Sequence, residues 1–406
     1  MSDAFEALTK RDHDSICNTY ARYPLAIDHA SGTRLFDVDG REYVDLLAGI
    51  AVCNLGHGNP ELLETVTRQW TKLVHSSNLF HQQEQVELAE KLLATCGADK
   101  VFFCNSGAEA NEAAIKIARR YMHVVRKRDA YEVITLDGSF HGRTLATLTA
   151  TGQAKVKDGF DPLPEGFKTV PFMDLDAVRE AITDKTAAVM VELIQGERGV
   201  RPLSQEFVDG LVALCREHDI LLIVDEVQTG LGRTGKYWAH QHYGITPDVF
   251  TTAKPLANGL PMGAMFAREE MAAAFTPGTH GTTFGGGALV SAVASRVLDI
   301  MKRDAICERA ADTGRYAMGL FEGLKAAHPD KVAEVRGLGL IIGIELTMPG
   351  KDIWNALIDA GFVCNLTQGN ILRLLPPLII EKDDIARFAQ TLDGLLAAAG
   401  LPKSEA

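Results

Sequence analysis

Three short stretches of this chain carry residues that could do chemistry, and each follows or ends an apolar run of strand type. The first, Asn105-Ser106-Gly107-Ala108-Glu109-Ala110-Asn111-Glu112, closes the run at 101–104 and opens a helical pattern. Free N–H groups and the helix dipole make such a turn an anion site, and Gly107 lets backbone approach a phosphate. The bland alternative is Ser106 as an ordinary helix cap. In the second stretch Asp225 ends the run at 221–224 and leads into Glu226-Val227-Gln228-Thr229-Gly230. A carboxylate there is costly without a cationic partner. A protonated ring nitrogen is one such partner; a turn cap or a magnesium site are the alternatives, although no GxxxxGK[ST] phosphate loop is present. In the third, Lys254 follows the run at 249–252 and enters a Gly/Pro loop, Pro255-Leu256-Ala257-Asn258-Gly259-Leu260-Pro261. Burial there would lower its pKa and leave a nucleophilic amine. The alternative is a lysine that reaches out to solvent.

The elements that must position these residues form an alternating pattern. Runs at 101–104, 133–136, 188–191, 221–224 and 249–252 are nearly continuous in apolar residues and separated by helical stretches. This predicts a mostly parallel sheet covered on both faces, with ligands beyond the carboxyl ends of its strands. Ala110, Ala113, Ala114, Ile117, Ala118 and Tyr121 recur at helical spacing and predict a helix over 108–127. Asp39-Gly40 between two alternating runs predicts a hairpin. After about residue 300 the pattern is again α+β, with a strand-type run at 371–374, and residues 402–406 read as a frayed tail.

Bulk properties narrow the class. At 406 residues the chain is long enough for two or three domains, and its net charge of −12 disfavours nucleic-acid and anionic-membrane partners. Its seven cysteines are scattered without a CxxC pair, which reads as reduced thiols and not a disulfide framework or zinc site; no metal is expected. Neither a signal peptide nor an apolar span is evident, so the expected location is cytoplasmic.

The order of the three motifs, together with Leu35-Phe36-Asp37-Val38-Asp39-Gly40, Asn54-Leu55-Gly56-His57, Phe140-His141-Gly142-Arg143-Thr144 and Gln195-Gly196-Glu197, resembles the class III (ornithine/acetylornithine) family of pyridoxal-phosphate-dependent aminotransferases. The resemblance runs from Tyr23 to Pro377. It implies a fold-type I α/β architecture, with a large cofactor-binding domain at 61–300 and a smaller α+β domain built from 301–406 and the segment 1–60. It further implies that Lys254 binds pyridoxal 5′-phosphate covalently and then moves the substrate's Cα proton, that Asp225 pairs with the ring nitrogen, and that Gln228 meets the ring hydroxyl. Val227 and Phe140 would face the ring, and Ser106, Gly107 and Ala108 would hold the phosphate. Thr283 would reach the phosphate of a neighbouring subunit, making a homodimer with shared sites. Arg373 and Arg143 match two carboxylate clamps, and Glu197 an acid that covers Arg373 when a terminal amine reacts. Glu192 matches a supporting acid; His141 reads as a wall residue and His57 as a turn residue. The reaction implied is transfer of the δ-amine of N-acetyl-L-ornithine to 2-oxoglutarate. Ornithine, N-succinylornithine, succinyldiaminopimelate and 4-aminobutyrate are alternative donors, and an aminomutase or a regulator without turnover are rivals from other classes. Leu193, Arg198, Pro255 and Gly287-Ala288 depart from the family's usual pattern.

Overall fold

The computed structural model describes residues 2–399; the tail expected at 402–406 lies outside them. Seven strands build the main sheet, in the order Lys100–Cys104, Gly263–Ala267, Val249–Thr252, Leu221–Asp225, Thr186–Val191, Glu132–Leu136 and Phe167–Val170. All five predicted runs are present. Four of the six pairings are parallel, and Gly263–Ala267 runs antiparallel to both neighbours.

The strands read as continuous apolar runs because alternate residues feed two cores. Leu222, Val224, Phe250 and Phe266 join Phe207, Leu211 and Leu214 of the helix Gln205–Glu217. Ile223, Val249 and Met265 join Ala113, Ala114 and Ile117 of the helix Gly107–Arg120. That helix is shorter than the 108–127 predicted. At Tyr121–Val125 it widens into a π turn, where Arg126 N donates to Tyr121 O at 3.0 Å.

Besides the main sheet there are, among the described residues, two four-stranded sheets and a two-stranded one, Ile194–Gln195 with Arg201–Pro202. Ile27–Ser31, Arg34–Asp37 and Glu42–Asp45 pair antiparallel, and Phe362–Val363 adds to Glu42–Asp45 in parallel, which joins the two ends of the chain. The Asp-Gly hairpin is present: Asp37 Oδ1 accepts from the N–H groups of Asp39 and Arg41 at 3.0 and 2.9 Å, and Gly40 takes a φ of +79°. The other four-stranded sheet is antiparallel, in the order Val332–Leu338, Ile341–Leu346, Ile371–Leu374 and Asn365–Thr367. It carries Arg373 on its third strand. Among the described residues, no helix is long and apolar enough to cross a membrane.

Candidate active site

The carboxyl ends of the central strands open into a cavity of about 380 Å³. Ser106, Gly107, Ala108, Phe140, Arg143, Glu192, Glu197, Asp225, Val227, Gln228 and Lys254 all line it. Residues from five separate stretches of sequence thus converge on one space.

Ser106 caps the helix Gly107–Arg120, its Oγ accepting from Glu109 N at 3.2 Å. The bland role is therefore real, but the first-turn N–H groups of that helix have no intrahelical acceptor and stand at the cavity. Gly107 is required by space: a Cβ there would come within 2.7 Å of Val227 Cγ1.

Asp225 is 4 % exposed and, among the described residues, pairs with no arginine or lysine. Its Oδ2 accepts from Asn111 Nδ2 at 2.7 Å and from His141 Nδ1 at 2.9 Å, while Oδ1 accepts from Val227 N at 3.0 Å. Asn111 is fixed in turn by Thr251, whose hydroxyl donates to Asn111 Oδ1 at 2.7 Å. His141 is therefore more than a wall: it holds the Asp225 carboxylate. Replacing His141 with alanine leaves a buried carboxylate oxygen short of a donor. We expect kcat to fall roughly tenfold, from about 1–3 kcal/mol of lost hydrogen bonding. Asn111→Ala should do the same. Steady-state kinetics on both variants checks this, and an unchanged kcat in both would show that Asp225 needs neither.

Lys254 leaves the sheet two residues past Val249–Thr252, in the 3₁₀ turn Lys254–Ala257, and its φ of +22° bends the chain back to the cavity floor. Burial pulls its pKa below the ordinary lysine value, against the opposing influence of Glu197 and Asp225. Glu192 is buried, accepts from Phe140 N at 2.8 Å, and has its pKa pushed up by burial, with His141 working the other way.

Arg373, 2 % exposed, donates from Nη1 to Glu197 Oε1 at 2.7 Å and from Nε to Asn365 Oδ1 at 3.0 Å. Burial alone would raise the Glu197 pKa, but the charge and hydrogen bond of Arg373, then Lys254 and Arg143, carry it below the usual value. Arg143 has no such cover; its guanidinium carbon sits 5.5 Å from the Phe140 ring centroid. Two predicted site residues do not line this cavity: Arg373, which borders it through its bond to Glu197, and Thr283. Thr283 is exposed on the loop that also holds Thr282, which accepts from Asn105 Nδ2 at 3.0 Å.

The sequence reading missed Asn111, Asn365 and the bond from His141 to Asp225. Asn111 was visible as the only polar side chain in an alanine-rich buried face, but its partner lies more than one hundred residues away. His57 is also more than a turn residue. Its Nε2 donates to Asp45 Oδ2 at 2.8 Å, which raises its pKa to about 10.

A partly buried strand-end lysine that lines one cavity with a strand-end acid, on a mostly parallel sheet with a helix N-terminus at the same opening, defines a fold-type I pyridoxal-phosphate-dependent transferase. The chain belongs to the aminotransferase class-III family, whose sequence profile matches residues 16–396. It is 45% identical to the acetylornithine aminotransferase of Methanocaldococcus jannaschii, over 95% of this chain and 96% of that one. The acetylornithine aminotransferase of Myxococcus xanthus is also 45% identical, over 94% and 95%. Among solved structures, the ornithine aminotransferase of Toxoplasma gondii superposes with a TM-score of 0.93 at 31% identity, covering 97% of this chain and 95% of that one. The enzyme is thus a pyridoxal-phosphate-dependent aminotransferase, moving an amino group from a small-molecule donor to an oxo acid.

The residues present fit that cofactor. Gln228 Oε1 and His141 Nε2 are buried polar atoms that find no partner among the described residues. Gln228 is also held tightly in place, since a Cβ on Gly196 would come within 1.8 Å of its Oε1. Polar atoms enclosed at such a cavity call for a polar ligand.

Proposed function

We propose that this enzyme transfers the δ-amine of N-acetyl-L-ornithine to 2-oxoglutarate, giving N-acetylglutamate 5-semialdehyde and glutamate, a step of arginine biosynthesis. The observation that carries this reading is the unequal state of the two arginines. Arg143 is open to the cavity, whereas Arg373 is covered by Glu197 at 2.7 Å. An open clamp suits the distal carboxylate of a donor that presents a terminal amine, and a covered clamp suits an oxo acid that displaces the cover when it binds. The acetylornithine aminotransferases at 43–45% identity support the same donor.

In this reading Ser106, Gly107 and Ala108 hold the cofactor phosphate, Asp225 faces the ring nitrogen, Gln228 the ring hydroxyl, and Phe140 and Val227 the ring faces. Bound pyridoxal phosphate supplies an aldehyde carbon that takes the amino group and a ring that accepts an electron pair. Lys254 supplies the amine that binds it and then moves a proton at the carbon bearing the reacting amine. Its burial keeps that amine neutral at lower pH than an exposed lysine allows.

We assign residues 61–300 to the cofactor-binding domain and 1–60 with 301–406 to the small domain, on the pairing of Phe362–Val363 with Glu42–Asp45. The working unit is read as a homodimer. Leu79 is 86 % and Phe80 67 % exposed, an unusual state for such residues unless a partner covers them. They follow Asn78, whose side chain donates to Thr282 O and Gly285 O at 3.3 and 3.0 Å, so this apolar face adjoins the loop with Thr283. Thr283 would then complete the phosphate site of the second copy. Seven free cysteines suit a reducing cytoplasm.

The test is a half-reaction. Enzyme loaded with pyridoxal phosphate is mixed with each donor in the absence of oxo acid, and the visible cofactor band is followed. Fastest bleaching by N-acetylornithine, reversed by 2-oxoglutarate, is the expected result. Faster bleaching by ornithine, 4-aminobutyrate or a succinylated amine would replace the donor.

A further inference from the structure

Glu197 lies in a turn whose neighbours are tied down on both sides. Arg198 forms an ion pair from Nη1 to Asp137 Oδ2. Gln195 Nε2 donates to the carbonyl of the same Asp137 at 3.0 Å. The arginine lies flat across Gly138: a Cβ there would come within 1.9 Å of Arg198 Cδ, and the Gly138 φ of +78° belongs to glycine. Asp137 and Gly138 begin the segment that carries Phe140, His141 and Arg143. On the other side, Glu197 O accepts from Thr367 Oγ1 at 2.9 Å and from Gln368 Nε2 at 2.8 Å. Arg336 Nε donates to Gly199 O and Val200 O at 2.9 and 3.1 Å. The backbone of the turn is therefore held from both flanks, and the Glu197 side chain is what remains to swing off Arg373.

We infer that the Arg198–Asp137 bridge is a specificity-determining strap, which holds the 195–199 turn so that Glu197 covers Arg373 in the resting enzyme and so sets how readily a dicarboxylate gains that arginine. The inference rests on the reading of Glu197 and Arg373 given above. Arg198 and Asp137 act through Glu197 and are positioning residues. Their side chains are 37 % and 48 % exposed, and an ion pair so exposed adds little to stability. With the strap cut, Glu197 spends more time away from Arg373. A ligand that needs the uncovered state then binds better in proportion to that population.

A second account would make Arg198 and Asp137 mere long-range charges. The two accounts differ in sign. Arg198→Ala removes a positive charge and Asp137→Asn a negative one, so a pure charge effect moves anion binding in opposite directions. Loss of the strap moves it in the same direction.

The experiment takes the pyridoxal-phosphate-loaded enzyme, the two single variants and the double variant R198A/D137N. Binding of glutarate, a dicarboxylate that cannot be transaminated, is measured by calorimetry, alongside KM for 2-oxoglutarate and for N-acetylornithine and the melting temperature. Glutarate should bind about twofold to fivefold tighter in each single variant, the range that an exposed pair's coupling supports. The double variant should match the singles, because one bridge is lost only once. KM for 2-oxoglutarate should fall with the glutarate Kd while kcat stays level, and the melting temperature should hardly move. Opposite shifts in the two single variants, or none in either, overturn the strap. If the wild-type enzyme binds no glutarate, the underlying reading of Arg373 falls, and the strap with it.

Discussion

Lys254→Ala is expected to abolish transamination, a fall of at least about 10⁴-fold in kcat, of the size seen when a covalent nucleophile is removed from an enzyme. Lys254 is the one lysine lining the cavity, and burial keeps its pKa low, so no other lysine stands ready to take its place. The same variant should lose the visible absorbance of the bound cofactor, even though Ser106, Gly107, Ala108 and Gln228 still line the cavity. Absorbance spectra after gel filtration, followed by a coupled glutamate-formation assay, measure both effects. Turnover that survives the substitution would remove Lys254 from the chemistry and bring the non-catalytic rival forward.

Asp225→Asn should cost about 10²- to 10³-fold in kcat, the usual loss when a preorganised charge is removed from a reacting centre. The substitution conserves shape and deletes charge. It also disturbs the donors that converge on Oδ2, because Asn111 Nδ2 and His141 Nδ1 both need an acceptor there. One amide oxygen cannot serve Val227 N as well, at 3.0 Å from Oδ1. The effect should fall on kcat more than on the KM of either substrate, and steady-state kinetics with both substrates separates the two. A rise in KM at constant kcat would make Asp225 a binding residue only.

Much of this site is legible in the sequence because it sits where apolar strands stop. The runs that end at Cys104 and lead into Asp225 are hydrophobic at every position, and the one that ends at Thr252 is β-branched or aromatic throughout, since both faces of the sheet are covered. A polar residue just beyond such a run stands out. The two strands of the main sheet that escaped notice lack that contrast. Phe167–Val170 is an edge strand with Lys168 and Thr169 inside it, and Gly263–Ala267 is mostly Gly and Ala, which read equally well as loop or helix. The helix Asp3–Ser15 buries no residue, so no apolar stripe marks it.

The partners of the visible residues were harder to find. His141 and Asn111 meet Asp225, and Asn365 meets Arg373, through contacts that only the closed fold creates. His57 next to a turn glycine gave no hint of Asp45, and Arg373 in an apolar run gave no measure of how completely Glu197 covers it. Residue type suggested the chemistry, whereas orientation came from pairs far apart in sequence.

The antiparallel strand Gly263–Ala267 also bears on how the enzyme matures. The strand Lys100–Cys104, which delivers Ser106 and Gly107, has no other neighbour in the sheet than Gly263–Ala267. During synthesis it must therefore wait, unpaired, until the ribosome has released a segment that comes well over a hundred residues later. Contacts of such sequence separation form slowly. The turn at Ser106 and Gly107 cannot take its final position before then, and Arg373 arrives later still. Closure of this edge of the cavity thus waits for about two thirds of the chain, and a nascent fragment ending before residue 263 would lack it, although it already contains Ser106, Phe140 and Asp225.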